Sequence, residues 1–265
     1  MNSTYNAILA RQRQGQTRSI LQVMAILVVI AACSYYTGLF DMARLSAAIP
    51  DLFSLIGDML PPDFSETKTW IKPLLDTVAM SVSGTALAVT FSLPLGFLAA
   101  RNSTPHPLIY QMARGLLNVL RSIPELILGI IFVAAVGFGA LPGVLALGLH
   151  SIGMIGKFFA EAIEHADKAP IEAARAAGAT PLQVVVHGIL PQVLPQMLDV
   201  SLYRWEYNFR ASTVMGMVGA GGIGFELMSS LRIMQYRDVS AILLIIFVMV
   251  TLADGFSAYL RKRFK

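Results

Sequence analysis

The residues of this chain best suited to chemistry are polar ones set among apolar runs. Gln192, Gln196, Asp199, Tyr203, Glu206 and Arg210 recur at intervals of three or four, which is one face of a helix, and Arg204 and Asn208 fall on the neighbouring stripe. Two chemistries fit that pattern. A structural one pairs Arg210 with Glu206 and Arg204 with a neighbour such as Asn208. A functional one aims the guanidinium groups of Arg204 and Arg210 into a polar passage, where charge and fork geometry attract an oxyanion. His150 and Asp254 also lie within apolar stretches, and each reads as a packing or helix-bonding residue.

Other motifs exclude more than they assign. Gly219, Gly221, Gly222 and Gly224 belong to a string that satisfies G-x-G-x-x-G. That dinucleotide fingerprint needs a buried strand before it, whereas a polar helical pattern precedes this one. The glycines are expected instead to allow close backbone approach. No G-x-x-x-x-G-K-[ST], H-E-x-x-H or G-x-S-x-G occurs, and His106, His150, His165 and His187 lack zinc-ligand spacing. Cys33 is the single cysteine, which excludes an internal disulfide. The expectation is no enzyme, no resident metal and no cofactor on this chain.

The elements that must hold these residues are membrane spans. The 265 residues are 55% hydrophobic and 14% charged, with a mean hydropathy of +0.65, where a soluble domain carries about 25% charged residues. A helix needs about 20 apolar residues to cross ~30 Å of hydrocarbon. Segments 20–40, 74–100, 126–148, 144–159 and 239–260 qualify, the third and fourth separated by a glycine and proline hairpin at 137–143. A sixth crossing is either 192–211, which contains charges, or 211–230, which is rich in glycine. With the N-terminus inside, thirteen Lys and Arg are cytoplasmic: Arg11, Arg13, Arg18, Arg101, Arg114, Arg121, Lys157, Lys168, Arg175, Arg261, Lys262, Arg263 and Lys265. Five are outside: Arg44, Lys68, Lys72, Arg232 and Arg237. That balance places both termini in the cytoplasm. The basic residues cluster at span ends, so nucleic acid is not an expected partner. A lipoprotein signal ending at Cys33 is the weaker reading of the first span, because the apolar run continues through Tyr35, Tyr36, Leu39 and Phe40.

The segment 157–191 leaves the membrane yet reads as structured. Asp167 to Gly178 has proline near a helix start, alanine throughout and glycine at the stop, and Thr180-Pro181 restarts a second helix that runs to Leu190-Pro191. Two short helices are marginal in water, so they need a surface to pack on. Glu172-Ala173-Ala174, then Gly178, then Leu190-Pro191 resemble the EAA loop of membrane permeases of binding-protein-dependent ABC importers. One departure is Gly188, where that family usually has isoleucine. Arg121-Ser122-Ile123-Pro124-Glu125, the 137–143 hairpin, His150-Ser151-Ile152-Gly153, Tyr203-Arg204-Trp205-Glu206 and the 219–224 glycines are similar to the phosphonate permease branch, which includes phosphite transporters.

The resemblance implies an all-α polytopic membrane protein of about six transmembrane helices with type I importer architecture, in a bacterial cytoplasmic (inner) membrane. Its parts would be a cytoplasmic tail at 1–19, a first helix at 20–40, an extracytoplasmic loop at 41–72, a permease core at 73–260 and a basic tail at 261–265. The loop at 167–191 would couple to a partner ATPase through Glu172, Ala173, Ala174, Gly178, Leu190 and Pro191. Arg204, Glu206, Asn208 and Arg210 would line the path, since the resemblance makes 192–211 the fifth crossing. Gly219, Gly221, Gly222 and Gly224 would stand at the periplasmic gate, where the pore meets its symmetry mate or a docking partner. Implied partners are a second copy, two ATP-binding cassette subunits that carry ATP and Mg, an extracytoplasmic phosphonate-binding protein, and lipid. The implied cargo is phosphonate or a related phosphorus oxyanion. A permease for methionine or another amino acid is the alternative within the class. An ion-coupled secondary transporter and a scaffold without transport are alternatives outside it.

Overall fold

The computed structural model describes residues 2–264. Lys265 lies outside the described residues, and so do the side chains of Arg11 and Arg13. The chain divides into two compact units, Met1–Gly57 and Asp58–Lys265.

The first unit holds α1 (Asn2–Tyr36) and almost all of α2 (Met42–Asp58). Its stretch Arg18–Tyr36 is long and apolar enough to cross a membrane. The residues expected as a tail before position 20 continue the same helix. The expected loop at 41–72 instead contains the 17 residues of α2. Its apolar residues recur at helical spacing around Pro50, a pattern a search for long apolar runs passes over.

The second unit runs α3 (Thr67–Leu98), α4 (Pro107–Ser122), α5 (Glu125–Val136), α6 (Ala140–Glu164), α7 (Lys168–Ala176) and the short α8 (Pro181–Gln183). A π-helical turn at Val184–Ile189 leads into α9 (Leu190–Met215), followed by α10 (Ile223–Arg232) and α11 (Tyr236–Phe264). Among the described residues of both units, four helices are long and apolar enough to span, or six if each of two bent pairs is one crossing. The break expected at 137–143 is present, since α5 stops at Val136 and α6 starts at Ala140, but α5 has only 12 residues and does not form the third crossing alone. At ~1.5 Å per residue α5 covers only about 18 Å. It joins α4 through an 85° bend. Pro124 causes that bend by pushing Ile123 into extended backbone (φ −88°, ψ 119°).

The centre of this unit is α6. Its apolar window is 67% buried, against 33% for α3 and 28% for α11. Glycines let neighbouring helices close on it, since apolar side chains gain little over lipid and close packing must supply the association. A Cβ on Gly96 would stand 2.8 Å from that of Phe159, and one on Gly156 would stand 2.6 Å from Leu117 Cδ2. At Gly153 the obstacle is backbone, with Arg121 N at 2.6 Å and Leu117 O at 2.8 Å. Gly153→Ala must therefore push α4 off α6, at a cost of roughly 1–3 kcal/mol. Thermal unfolding of the detergent-solubilised protein should show a midpoint several degrees lower. Gly115→Ala, with nothing within 4 Å, should leave the midpoint in place.

Candidate functional site

Two regions gather the residues singled out by sequence. The first joins α6 to α9. The Asp167 carboxylate accepts the Ala169 N–H at 3.1 Å and caps α7. At the other end, Gly178 N–H donates to the Arg175 carbonyl (3.0 Å) and Ala179 N–H to that of Ala174 (3.1 Å). This is a Schellman closure, and it needs Gly178 at φ +80°. Thr180 and Gln183 then form a reciprocal capping box for α8. Gln192 fastens the segment at its base. Its side-chain oxygen accepts from Asp167 N (2.9 Å), and its amide donates to the carbonyls of Gly188 (2.5 Å) and Asp167 (3.3 Å).

The departure at Gly188 has a physical reason. A Cβ there would already touch Ile171 Cα at 3.4 Å and Pro170 O at 3.5 Å, so a branched side chain would drive α7 away from the π turn. Of the residues expected to couple, Glu172, Ala173, Gly178 and Pro191 are exposed, whereas Ala174 and Leu190 are half-buried and pack on the core. The exposed turn between α7 and α8 borders a groove of about 490 Å³, whose other wall includes Asn102, Ser103 and Pro105.

The second region is polar and lies among the spans. The expected pairing of Arg204 with Asn208 and of Arg210 with Glu206 is not what the structure contains. Arg204 Nε donates to Ser151 Oγ (2.8 Å), which donates to Asn208 Oδ1 (3.0 Å), and Asn208 Nδ2 donates to Thr85 Oγ1 (2.9 Å). One chain of hydrogen bonds thus ties α9 to α6 and α3. The Arg204 guanidinium also stacks on the Tyr207 ring, 4.1 Å from its centroid, and its Nη2 is buried without a hydrogen-bond partner among the described residues. Tyr207 Oη donates to Glu125 at 2.7 Å, and Glu125 lies 3.4 Å from His150 Nε2. His150 Nδ1 faces the Ile123 carbonyl at 3.0 Å, so that nitrogen is the donor.

Glu206 and Arg210 turn to α11 instead. Glu206 accepts from Arg261 at 2.8 Å, and Arg210 pairs with Asp254 at 3.2 Å. The spacing rule put Glu206 and Arg210 on one face, but partners on a neighbouring helix outbid each other's reach along α9. Arg204, Glu206 and Asn208 are buried, while Arg210 and Asp254 keep 46% and 38% of their side chains exposed. A charged pair exposed to hydrocarbon is costly, so this surface must face water or protein. Sequence reasoning missed Thr85, Tyr207 and Glu125 as partners and gave Ser151 no role. The only available signal was that Arg204 and Asn208 each required some polar neighbour.

The glycine string makes close contacts within this chain. Ile223 N–H donates to Thr77 Oγ1 at 2.9 Å, and Gly139 N–H to the Gly219 carbonyl at 3.3 Å. Added Cβ atoms at Gly222 would collide with Thr77 and at Gly224 with the Thr213 carbonyl, and Gly221 lies beside Gly139. The string joins two helices rather than a strand to a helix.

Comparison with known proteins gives concordant results. The family described as "binding-protein-dependent transport system inner membrane component" matches residues 92–265. A phosphite transport system permease protein of Stutzerimonas stutzeri is 63% identical over 100% of both chains. A phosphate-import permease protein of Mycolicibacterium smegmatis is 43% identical over 76% of this chain and 38% of its own. Among solved structures, an inward-facing methionine ABC transporter chain superposes with a TM-score of 0.66 at 24% identity, covering 76% of this chain and 99% of that one. At that identity the likeness speaks for the fold alone.

The three-helix network carries a stability prediction. Asn208→Ala removes both side-chain bonds of a fully buried residue, which costs about 1–3 kcal/mol where partners are left short. The unfolding midpoint should fall, and a midpoint equal to that of the parent would show that the network adds nothing to stability.

Proposed function

Because the chain belongs to the family of binding-protein-dependent transport system inner membrane components, we propose that it forms the translocation path of an ATP-driven importer for phosphite or a related phosphorus oxyanion. The observation that carries this reading is the full-length 63% identity to a phosphite permease, and it favours a phosphorus oxyanion over an amino acid. A second permease copy would complete the path. Two ATP-binding subunits would carry ATP and Mg, since this sequence has no P-loop. An extracytoplasmic binding protein would deliver the cargo. Both termini would lie in the cytoplasm, as the Lys and Arg balance across the spans indicates.

Two mechanical parts follow from the geometry. In the α7–α8 pair both ends of α7 and the start of α8 are capped, and Gln192 fastens its base, so it would move as one piece. Its exposed small residues suit insertion into a groove on the ATPase subunit, and its tilt would rock α6 and α9 between inward-open and outward-open states. Of the two path arginines, Arg210 has the exposed guanidinium, so it would meet the anion, with Asp254 offsetting its charge. Arg204 and Asn208 would hold the wall behind it, and the 219–224 glycines would seal the outer end against α3 and the 137–139 turn. A weak site suits transport, because an anion held tightly by the path could not leave it.

The decisive measurement is uptake of radiolabelled phosphite by proteoliposomes containing the whole complex. Uptake should require ATP inside and binding protein outside, and uphill uptake by this chain alone would overturn the reading. Arg210→Gln should lower uptake about tenfold, the equivalent of ~1.4 kcal/mol, with assembly intact. Gly178→Ala strains the left-handed turn and should reduce cargo-stimulated ATP hydrolysis while basal hydrolysis by the complex persists.

A further inference from the structure

We propose that α2 is an interfacial helix that lies flat in the outer leaflet of the bilayer, its apolar face among the lipid acyl chains and its polar face in water. Around its axis Met42, Leu45, Ile49, Leu52, Phe53 and Ile56 fall on one side, at spacings of three, four, three, one and three residues. Arg44, Asp51, Ser54 and Asp58 fall on the other. Every residue of α2 is exposed, so its apolar side has no cover from this chain, with Met42 68%, Ile49 53%, Leu52 56% and Phe53 69% exposed. A stripe of that size is too apolar to stay in water.

The occupant follows from where the helix begins and ends. Its N-terminus is six residues after the end of the α1 span, at most about 22 Å of extended chain. The Asp41 carboxylate accepts the Arg44 N–H at 3.0 Å and fixes that start. Tyr35, Tyr36 and Phe40 are all exposed around the turn, the aromatic girdle expected at headgroup level. Past the other end, the Met59 carbonyl accepts from Ser240 Oγ at 2.6 Å and Asp63 N–H donates to the Arg237 carbonyl at 3.1 Å. Ser240 and Arg237 belong to the first turn of the α11 span. In chain order α2 thus lies between two spans, α1 and α3, and a helix about 25 Å long with both connections leading to spans can lie along the membrane surface. Its polar side carries two acids against one base, which suits a leaflet other than the anionic cytoplasmic one. Binding would rest on apolar insertion, as for other amphipathic helices at interfaces. None of this depends on the cargo or on the coupling segment.

The test uses the complete transporter in open membrane fragments, with Cys33→Ser as background and single cysteines at Leu45, Leu52 and Ile56 or at Arg44, Asp51 and Ser54. A membrane-impermeant maleimide should label the second set at least about tenfold faster. Fluorophores on the first set should be quenched by lipids carrying a nitroxide near the headgroup. Equal labelling of both faces overturns the proposal. So does an apolar face that is protected yet not quenched by the nitroxide lipids, because a protein rather than the bilayer would then cover it.

Discussion

A polar side chain inside a bilayer must find its partner within the protein, and this requirement organises the second unit. Hydrocarbon offers Arg204 and Asn208 nothing to bond. Their partners are Ser151 on α6 and Thr85 on α3, so these three helices can satisfy them only in one register. The glycines of α3 and α6 make that register reachable by letting backbones approach within side-chain distance. Remove the close approach and the hydrogen bonds lengthen, so packing and polarity depend on each other. Such a network specifies an arrangement as much as it stabilises one.

The break in the third crossing belongs to the same logic. An 85° bend at Pro124 starts α5 afresh, with the N–H groups of Ile127 and Leu128 both donating to the Pro124 carbonyl. It also brings Glu125 to a corner where Tyr207 from α9 and His150 from α6 both reach it. Non-helical backbone at membrane depth is tolerated where protein or water surrounds it. Here the Ile123 carbonyl, released by the bend, accepts from His150. A straight helix would have used that carbonyl internally and carried Glu125 elsewhere.

What was legible in the sequence divides along the same line. Apolar runs and caps are local, so α3, α6, α7 and α11 could be read directly, whereas the second short helix, expected to end at Leu190-Pro191, is a three-residue α8 that runs on through the π turn into α9. Asp167, Gly178 and Thr180 announce their helix ends by residue type, and the structure places them at those ends. Tertiary choices were not legible. Arg210 and Glu206 are one turn apart, so spacing alone pairs them, but Asp254 and Arg261 on α11 take them instead. The hairpin at 137–143 was visible while the exact stop of α5 was not, because an apolar run does not record which glycine ends the helix. α2 escaped notice for a different reason: its apolar residues are spread around a stripe rather than gathered in a run.

The division between buried and exposed charge bears on how such a path can work. If Arg204 itself received the anion, each passage would have to pull it from Ser151 and from the Tyr207 ring, disturbing the contacts that align α6 with α9. Arg210 lacks that burden. Its partner Asp254 is as open as it is, so an anion can compete for the guanidinium without breaking the helix network. On the proposed reading, the same carboxylate would reclaim the arginine when the anion leaves and so keep residence short. The hydrogen-bonded network around Arg204 is thus separate from the more open Arg210–Asp254 pair, and in the proposed mechanism the first would move as a unit while the second exchanges the anion.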